Sequence, residues 1–312
     1  MKRIAFCHLC FLIIGCGSNS EMDQNTAQSE LSYFGFTLVD TYWDDPSDSV
    51  IKTNYIDEVA AFSNIADILV INPQDQLVER LKMMNAQGMK AILHLNEIFF
   101  EFSAIGGGGS GFRYRLRQDY KKRWDDFAGV NDLIENQSLI QILYLGEEPT
   151  WNGITFEELK NASDYLKETF PSLPVMLIEA APAIERLQIP ESVDWVGFDH
   201  YFLKDPGNDP QYLSELNLLK SKLSTEDQKL VFVMDAHYIP SVHGDLGGIE
   251  LQEMKAIALS YYQLARSEPK AIALIGYFWP GGFDDPSAIG ARNMPEAIKE
   301  AYRNIGRQII NR

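Results

Sequence analysis

Glu147 and Glu148 are adjacent carboxylates that close an apolar run in the stretch QILYLGEEPTWNG, residues 141–153. The run predicts a buried strand, so both acids are expected at the strand's end. Burial and mutual repulsion there raise the pKa of at least one of them. A carboxyl group with a raised pKa can donate a proton near neutral pH. The pair therefore predicts general acid chemistry at this strand end.

Polar and aromatic side chains also follow the other apolar runs of the sequence. Sugar rings pack their CH faces on aromatic rings and hydrogen-bond their hydroxyls to carboxylates, so this mixture predicts a carbohydrate site. The residues expected to bind substrate are Glu147, Asp40, Trp43, His94, Asn96, Glu179, Asp199, Tyr201, His237 and Trp279. Further strand-end residues are Tyr42, Asn72, Glu97, His200 and Tyr277.

The elements that must position these side chains are eight short apolar runs, mostly separated by helical patterns. The runs are YFGFTLVD, ADILVIN, KAILHLN, QILYLGEE, PVMLIEA, VDWVGFDHY, KLVFVMDAH and AIALIGYFW. Near-continuous apolar strands alternating with helices predict a parallel sheet that is covered on its outer face, and the count matches a closed (β/α)8 TIM barrel of the α/β class. A doubly wound open sheet is the alternative, but the glycine fingerprint expected after its first strand is missing. The separator APAIERLQIPES is short for a helical unit.

Two of the helical patterns carry recognisable end signals. PQDQLVERLKMMNAQG has a proline near its start and a glycine at its end, which is the asymmetry expected of a helix. In TFEELKNASDYLKETF, Thr155 and Glu158 have the spacing of a capping box, and an apolar face follows them.

With these strand ends in place, the chain resembles the clan A glycoside hydrolases, whose strand-four signature is Asn-Glu-Pro. The resemblance rests on GEEP at the fourth strand, an acid at the seventh, an aromatic residue after the sixth and a tryptophan after the eighth. It implies a glycosidase that acts on an oligo- or polysaccharide without a cofactor. It also implies that Glu148 is the acid/base, Asp235 the nucleophile or base, Tyr201 a contact of that nucleophile and Trp279 the sugar-stacking residue.

Two positions depart from the family pattern, because Glu147 stands where the family has asparagine and Asp235 is one methylene shorter than the usual glutamate. These departures leave a second mechanism open. Some retaining hexosaminidases use adjacent acids on strand four, the second to protonate the leaving group and the first to orient the substrate's acetamido group. A barrel that binds glycan without hydrolysing it is a third hypothesis.

Other chemistries are less well supported by the sequence. His94, His200 and His237 show no close-spaced metal-ligand pair, so we expect substrate hydrogen bonding and no metal site. GGGGSG (106–111) lacks the Lys-Ser/Thr of a phosphate loop and predicts a flexible loop over the cleft. FRYRLRQDYKKR (112–123) is a basic segment that we interpret as a solvated helix face. With a net charge of −17, the chain is not expected to bind nucleic acid.

The first fifteen residues combine Lys2 and Arg3 with a short apolar run, which predicts a secretory signal rather than a spanning helix. LIIGC resembles a bacterial lipobox, which implies that Cys16 is lipidated. Residues 16–30 are polar and predict a tether, and 31–312 predict a single barrel domain that contains no cysteine. We therefore expect a monomer that is lipid-anchored in the cell envelope, at the outer membrane.

Overall fold

The computed structural model describes residues 29–311, so the predicted signal peptide, Cys16 and most of the predicted tether lie outside the described residues. Eight parallel strands form one sheet. The barrel prediction is thereby confirmed, and every one of the eight apolar runs overlaps a strand. The barrel strands are β1 Tyr33–Phe36, β2 Ile65–Leu69, β3 Lys90–His94, β6 Ile140–Glu147, β7 Val175–Ala180, β8 Trp195–Asp199, β9 Lys229–Asp235 and β10 Ala271–Tyr277. Their order in the sheet is β1-β10-β9-β8-β7-β6-β3-β2.

The seam between β1 and β2 closes through contacts beyond the regular ladder. Asp40 and Ile68 form an isolated parallel bridge, with the Asp40 N–H donating to the Asp67 carbonyl at 3.0 Å. A Cβ on Gly35 would lie 2.2 Å from the Ile65 carbonyl oxygen, so only glycine allows this close approach. The sheet is therefore a nearly closed barrel.

Side chains alternate between two hydrophobic layers, as a strand period of two requires. One layer fills the barrel interior and includes Ile92, Tyr144 and Val233. The other packs the outer strand faces against the helices. The longer helices are α2 Val78–Ala86, α4 Tyr120–Val130, α6 Phe156–Thr169, α7 Pro210–Lys222, α8 Met254–Ser267 and α9 Glu296–Ile310, and single-turn helices are α1 Ile56–Val59, α3 Asn96–Phe99 and α5 Leu133–Asn136.

The helix-end predictions are confirmed for α6 and for the C-terminal end of α2, where Gly88 follows the cap with φ of 76°, and corrected for the N-terminal end of α2. The Glu158 N–H donates to the Thr155 hydroxyl, and the Glu158 carboxylate accepts from the Thr155 N–H, which is the expected capping box. α2 begins only at Val78, because Pro73 lies in a turn five residues earlier. The short separator between β7 and β8 forms a single 3-10 segment, Ala181–Arg186, in place of a full helix.

The segment after β3 differs most from the sequence-based expectation. It forms an antiparallel hairpin, with strands β4 Phe100–Ile105 and β5 Phe112–Leu116. The basic segment therefore begins as a strand and becomes helical only at Tyr120, while GGGGSG forms the hairpin turn. Within residues 29–311, no helix has the length and apolar character needed to span a bilayer.

Candidate active site

A cavity of about 440 Å³ opens at the carboxyl ends of the barrel strands. A second pocket of about 210 Å³ adjoins it and shares Asn96, Glu97 and Glu147 with it. Glu148 lines only the second pocket. The residues that line the first cavity are Thr37, Leu38, Tyr42, Asp67, Leu69, Ile71, His94, Asn96, Glu97, Tyr144, Glu147, Ile178, Asp199, Tyr201, Val233, Tyr277 and Phe283.

Glu147 reaches the cavity because β6 is irregular near its end. The register of β6 against β7 shifts between Tyr144 and Gly146, which alters the alternation of faces and leaves Glu147 on the cavity side with Tyr144. The Glu147 carboxylate lies 3.4 Å from His94 Nε2. Burial opposes ionisation, but the neighbouring imidazole outweighs it and lowers the pKa of Glu147. Glu147 is therefore an anion that faces the cavity.

His94 holds this anion from the end of β3. Its Nδ1 lies 3.6 Å from the Asp67 carboxylate, so the ring stands between two acids. Burial alone would lower the pKa of His94, but Asp67 and Glu147 together raise it to about 10. The side chain is thus an imidazolium at neutral pH, and it fixes Glu147 in both charge and position.

Glu148 has a different environment, although it is the next residue. Its backbone is left-handed, with φ of 47°, and its N–H donates to the Ile178 carbonyl at 2.7 Å. Such a conformation is costly for a residue other than glycine and re-aims the side chain from the strand direction. Burial first, and then the charges of Glu147, Glu179 and Asp284, raise the pKa of Glu148 to about 7. The chain thus places a protonatable acid beside a permanent anion.

Asp199, at the end of β8, is hydrogen-bonded to Glu148. Burial and the nearby charges of Glu148, Glu147 and Glu179 raise the pKa of Asp199 well above its usual range. Because two neighbouring carboxylates repel each other, the second proton to leave this pair does so at a higher pH than it would from either acid alone. Asp199 also lines the large cavity, in agreement with its expected place at the site.

Asp235 does not face the cleft, which corrects the expectation that its carboxylate lies opposite Glu148. The side chain is completely buried. It accepts hydrogen bonds from the Phe202 N–H at 2.9 Å and from His243 Nε2 at 3.2 Å, and His237 Nδ1 lies 3.3 Å away. Burial opposes ionisation, but the two imidazoles hold the pKa of Asp235 far below its usual range. The shorter aspartate is thus sealed beneath the site, and so is His237, which was expected to bind substrate and is 1% exposed.

Asp235, His237 and His243 place one ligand atom each within 4.8 Å of the others, which is the spacing of a metal-binding cluster. The Ile239 N–H donates to His243 Nδ1 at 2.8 Å, so that nitrogen carries no proton. The Nε2 proton of a neutral ring then points at Asp235. A metal on Nε2 would need the proton on Nδ1, where it would oppose the Ile239 N–H. The cluster fits a hydrogen-bond network and does not fit a metal.

The three histidines considered from the sequence do not converge on one site. His94 lies between Asp67 and Glu147, whereas His237 belongs to the buried cluster. His200 points to α7, where its Nδ1 lies 2.6 Å from the Glu215 carboxylate.

Glu179 is also buried, and the structure gives it a supporting position in place of the expected substrate contact. Its carboxylate accepts from the N–H groups of Thr150 at 2.8 Å and Trp151 at 3.1 Å. Both donors belong to the loop that follows Glu148. Glu179 therefore holds the backbone of the acid's loop, and its charge adds to the raised pKa of Glu148.

Asp40 is a further correction among the acids. It is 2% exposed and receives two hydrogen bonds from the Arg80 guanidinium, at 2.6 and 2.7 Å. This ion pair joins the end of β1 to α2 and does not line the cavity. Asp40 therefore stabilises the barrel seam and has no surface to offer a substrate.

The expected tryptophans lie behind the site rather than in it. Trp279 is 5% exposed, donates from Nε1 to Glu58 at 2.8 Å and packs edge-on against Phe36. Trp43 donates to the Gly281 carbonyl at 2.9 Å and supports Phe283, which itself lines the cavity.

Tyrosines supply the aromatic surface at the cavity. Tyr201, which was expected there, stacks on Tyr277 with ring centroids 5.1 Å apart and planes 12° apart. Tyr42, one residue before Trp43, also lines the cavity and is 60% exposed. Tyr42, Glu97 and Tyr277 were visible as strand-end residues in the sequence, whereas Asp67 and Phe283 carried no such signal.

The chain matches no protein-family model and no curated protein sequence. Its fold is similar to solved structures. A GH113 β-1,4-mannanase has 15% identity and a TM-score of 0.56, over 90% of this chain and 100% of that one. A thermostable mutant of a xylanase from Cellvibrio japonicus has 9% identity and a TM-score of 0.55, over 90% and 98%. A GH2 β-galacturonidase from Eisenbergiella tayi, bound to galacturonate, has 14% identity and a TM-score of 0.62, over 89% and 51%. These likenesses establish a TIM-barrel fold of the kind found in glycoside hydrolases.

Proposed function

We propose that the protein is a glycoside hydrolase that acts on an oligo- or polysaccharide, with Glu148 as the proton donor. The observation that carries this proposal is the pair of adjacent carboxyl groups held in opposite states. Glu147 is kept ionised by His94, while burial and its neighbours raise the pKa of Glu148 to about 7. Glycoside hydrolysis needs one carboxylic acid to protonate the leaving oxygen and one carboxylate to assist at the sugar ring. The glycoside hydrolases of similar fold support this proposal by analogy.

Glu147 takes the anionic role in this proposal because Asp235 has no access to substrate. Glu147 lines both pockets, so a sugar bound across the two pockets would contact its carboxylate. The anion would stabilise the positive charge that develops on the sugar ring as the bond to the leaving oxygen breaks. Glu148 would give its proton to that oxygen and, in the next step, take a proton from the water molecule whose oxygen bonds to the anomeric carbon.

The same observation favours a second candidate, a substrate-assisted hexosaminidase. In that mechanism the substrate's acetamido oxygen attacks the anomeric carbon, and the carboxylate beside the acid orients the acetamido group. Glu147 has the charge and the place for this task, since it is the residue that directly precedes the acid. The two candidates differ in whether the substrate must carry a 2-acetamido group.

A panel of aryl glycosides, with and without a 2-acetamido group, together with polysaccharides, tests both candidates. We expect Glu148→Gln to lower the rate roughly 10²–10⁴-fold on substrates that need leaving-group protonation. Glu226→Gln is the matched control, because Glu226 is fully exposed and lines neither pocket. A folded Glu148→Gln protein with activity within a few-fold of wild type would contradict the assignment. Glycan binding without turnover in the wild type would favour a non-catalytic binding protein instead.

We also propose that the protein is anchored to a bacterial membrane through a lipid on Cys16. The support is the stretch LIIGC and the polar segment that follows it. Wild type should partition into the detergent phase, and a Cys16→Ser protein should not. Equal partitioning of both proteins would overturn this proposal.

A further inference from the structure

One face of the β4–β5 hairpin is apolar along its whole length. Phe102 pairs with Tyr114 and Ile105 pairs with Phe112, so these four side chains lie on the same face. Phe102 is 52% exposed, Phe112 49% and Ile105 85%. The two phenylalanine rings lie 6.2 Å apart, and Phe102 lies 6.0 Å from Tyr114. An exposed apolar strip of this kind indicates a binding surface.

The hairpin is fixed to the loop that carries the proton donor. The Ser110 N–H donates to the Trp151 carbonyl at 3.1 Å, and the Tyr114 N–H donates to the Asn152 carbonyl at 2.8 Å. A Cβ on Gly109 would lie 2.1 Å from the Trp151 ring, so the glycine-rich turn packs directly on that side chain. These contacts correct the expectation of a flexible lid, because the surface is held in place before any ligand arrives.

The apolar face continues into the pocket that contains Glu148. Phe112 and Tyr114 line this pocket together with Glu97, Glu148 and Asn152. Carboxylate and amide groups therefore lie beside two aromatic rings. That combination suits a sugar unit, whose CH face packs on a ring while its hydroxyls hydrogen-bond to the polar groups.

We propose that this hairpin face binds the sugar units on the leaving-group side of the bond that is cleaved. The inference rests on the proposed function. A general acid lies beside the oxygen of the leaving group, and Glu148 lines the hairpin pocket but not the large cavity. Glu147 lines both, so the bond to be broken spans the boundary between them. The large cavity then takes the sugar that forms the new reducing end, and the hairpin takes the rest of the chain.

Chain length gives the sharpest test of this surface. Oligosaccharides of increasing length are compared with an aryl glycoside of the same sugar, which has no sugar on the leaving-group side. For Phe112→Ala and for Phe102→Ala, we expect the ratio of kcat/KM between the longest oligosaccharide and the aryl glycoside to fall roughly tenfold. Ile134→Ala is the control, since Ile134 is 66% exposed on α5 and lines neither pocket. Its ratio should match that of wild type.

An unchanged ratio in both phenylalanine variants, with folding confirmed by circular dichroism, would overturn the inference. If wild type cleaves none of the glycosides, the proposed function fails separately, and calorimetric titration with the oligosaccharides decides the hairpin's role. Oligosaccharide binding that weakens about tenfold in Phe112→Ala supports the surface. A lack of oligosaccharide binding overturns the inference. A concentration-dependent dimer that is abolished by Phe112→Ala and kept by Ile134→Ala also overturns it, because the hairpin face would then bind a second copy of the chain.

Discussion

The charge of Glu147 should account for a measurable part of the raised pKa of Glu148. Replacing Glu147 with glutamine keeps the volume and removes that charge. The pKa of Glu148 lies at about 7 against an ordinary 4.5, and burial is the largest cause, so the neighbour's charge accounts for less than the whole difference. Carboxyl groups about 6 Å apart interact by roughly 0.7 kcal/mol in water and roughly 3 kcal/mol in a medium of dielectric constant about 20. At about 1.4 kcal/mol for each pH unit, we expect the pKa of Glu148 to fall by about one pH unit.

The assay is a titration of the side-chain carboxyl of Glu148 by carbon NMR in protein labelled at glutamate, which needs no activity. Glu97→Gln is the matched control, because Glu97 lines the same pocket and is not among the main causes of the raised pKa. In wild type, activity should fall as pH rises through about 7, since the donor loses its proton there. A midpoint below 5 in wild type, or an identical midpoint in Glu147→Gln, would refute the reasoning.

Three further predictions concern the groups around this pair. His94→Gln should lower the free energy of unfolding by up to several kcal/mol. The stabilisation by His94 is complete below pH 6.5 and is lost as pH rises through about 10, so the melting temperatures of wild type and variant should converge across this range. Asp235→Asn should destabilise the protein by about 1–3 kcal/mol, because the amide cannot accept hydrogen bonds from every donor that faces this buried carboxylate. An unchanged melting temperature with a rate loss above 10³-fold would instead restore a direct catalytic role. Trp279→Phe should cost about 1–2 kcal/mol through the lost bond to Glu58 and leave KM unchanged; a large rise in KM would show that this ring contacts substrate.

Local patterns were sufficient to determine the barrel and its acid pair. Eight apolar runs separated by helical patterns predict a parallel sheet, because strands buried on both faces are apolar throughout, and each run overlaps a strand. Thr155 and Glu158 form the predicted capping box, since that motif involves residues only three positions apart. Likewise, the repulsion between Glu147 and Glu148 can be predicted from the sequence, because consecutive residues are close together in any fold.

Tertiary structure decided which strand-end residues reach the site. At the end of a strand, a bulge or a left-handed φ changes the face on which the next side chain lies. Residue type alone encodes neither of these two features. Glu147 reaches the cavity after a register shift, and Glu148 turns on a φ of 47°. Asp235 and Trp279 are held away from the cavity by hydrogen-bond partners that lie outside their own strand segments. One of these partners is Glu58, which is 221 positions from Trp279. Strands are determined by residues that are close together in the sequence. The side chains that line the cleft are determined by contacts between distant residues, which form only when the barrel closes.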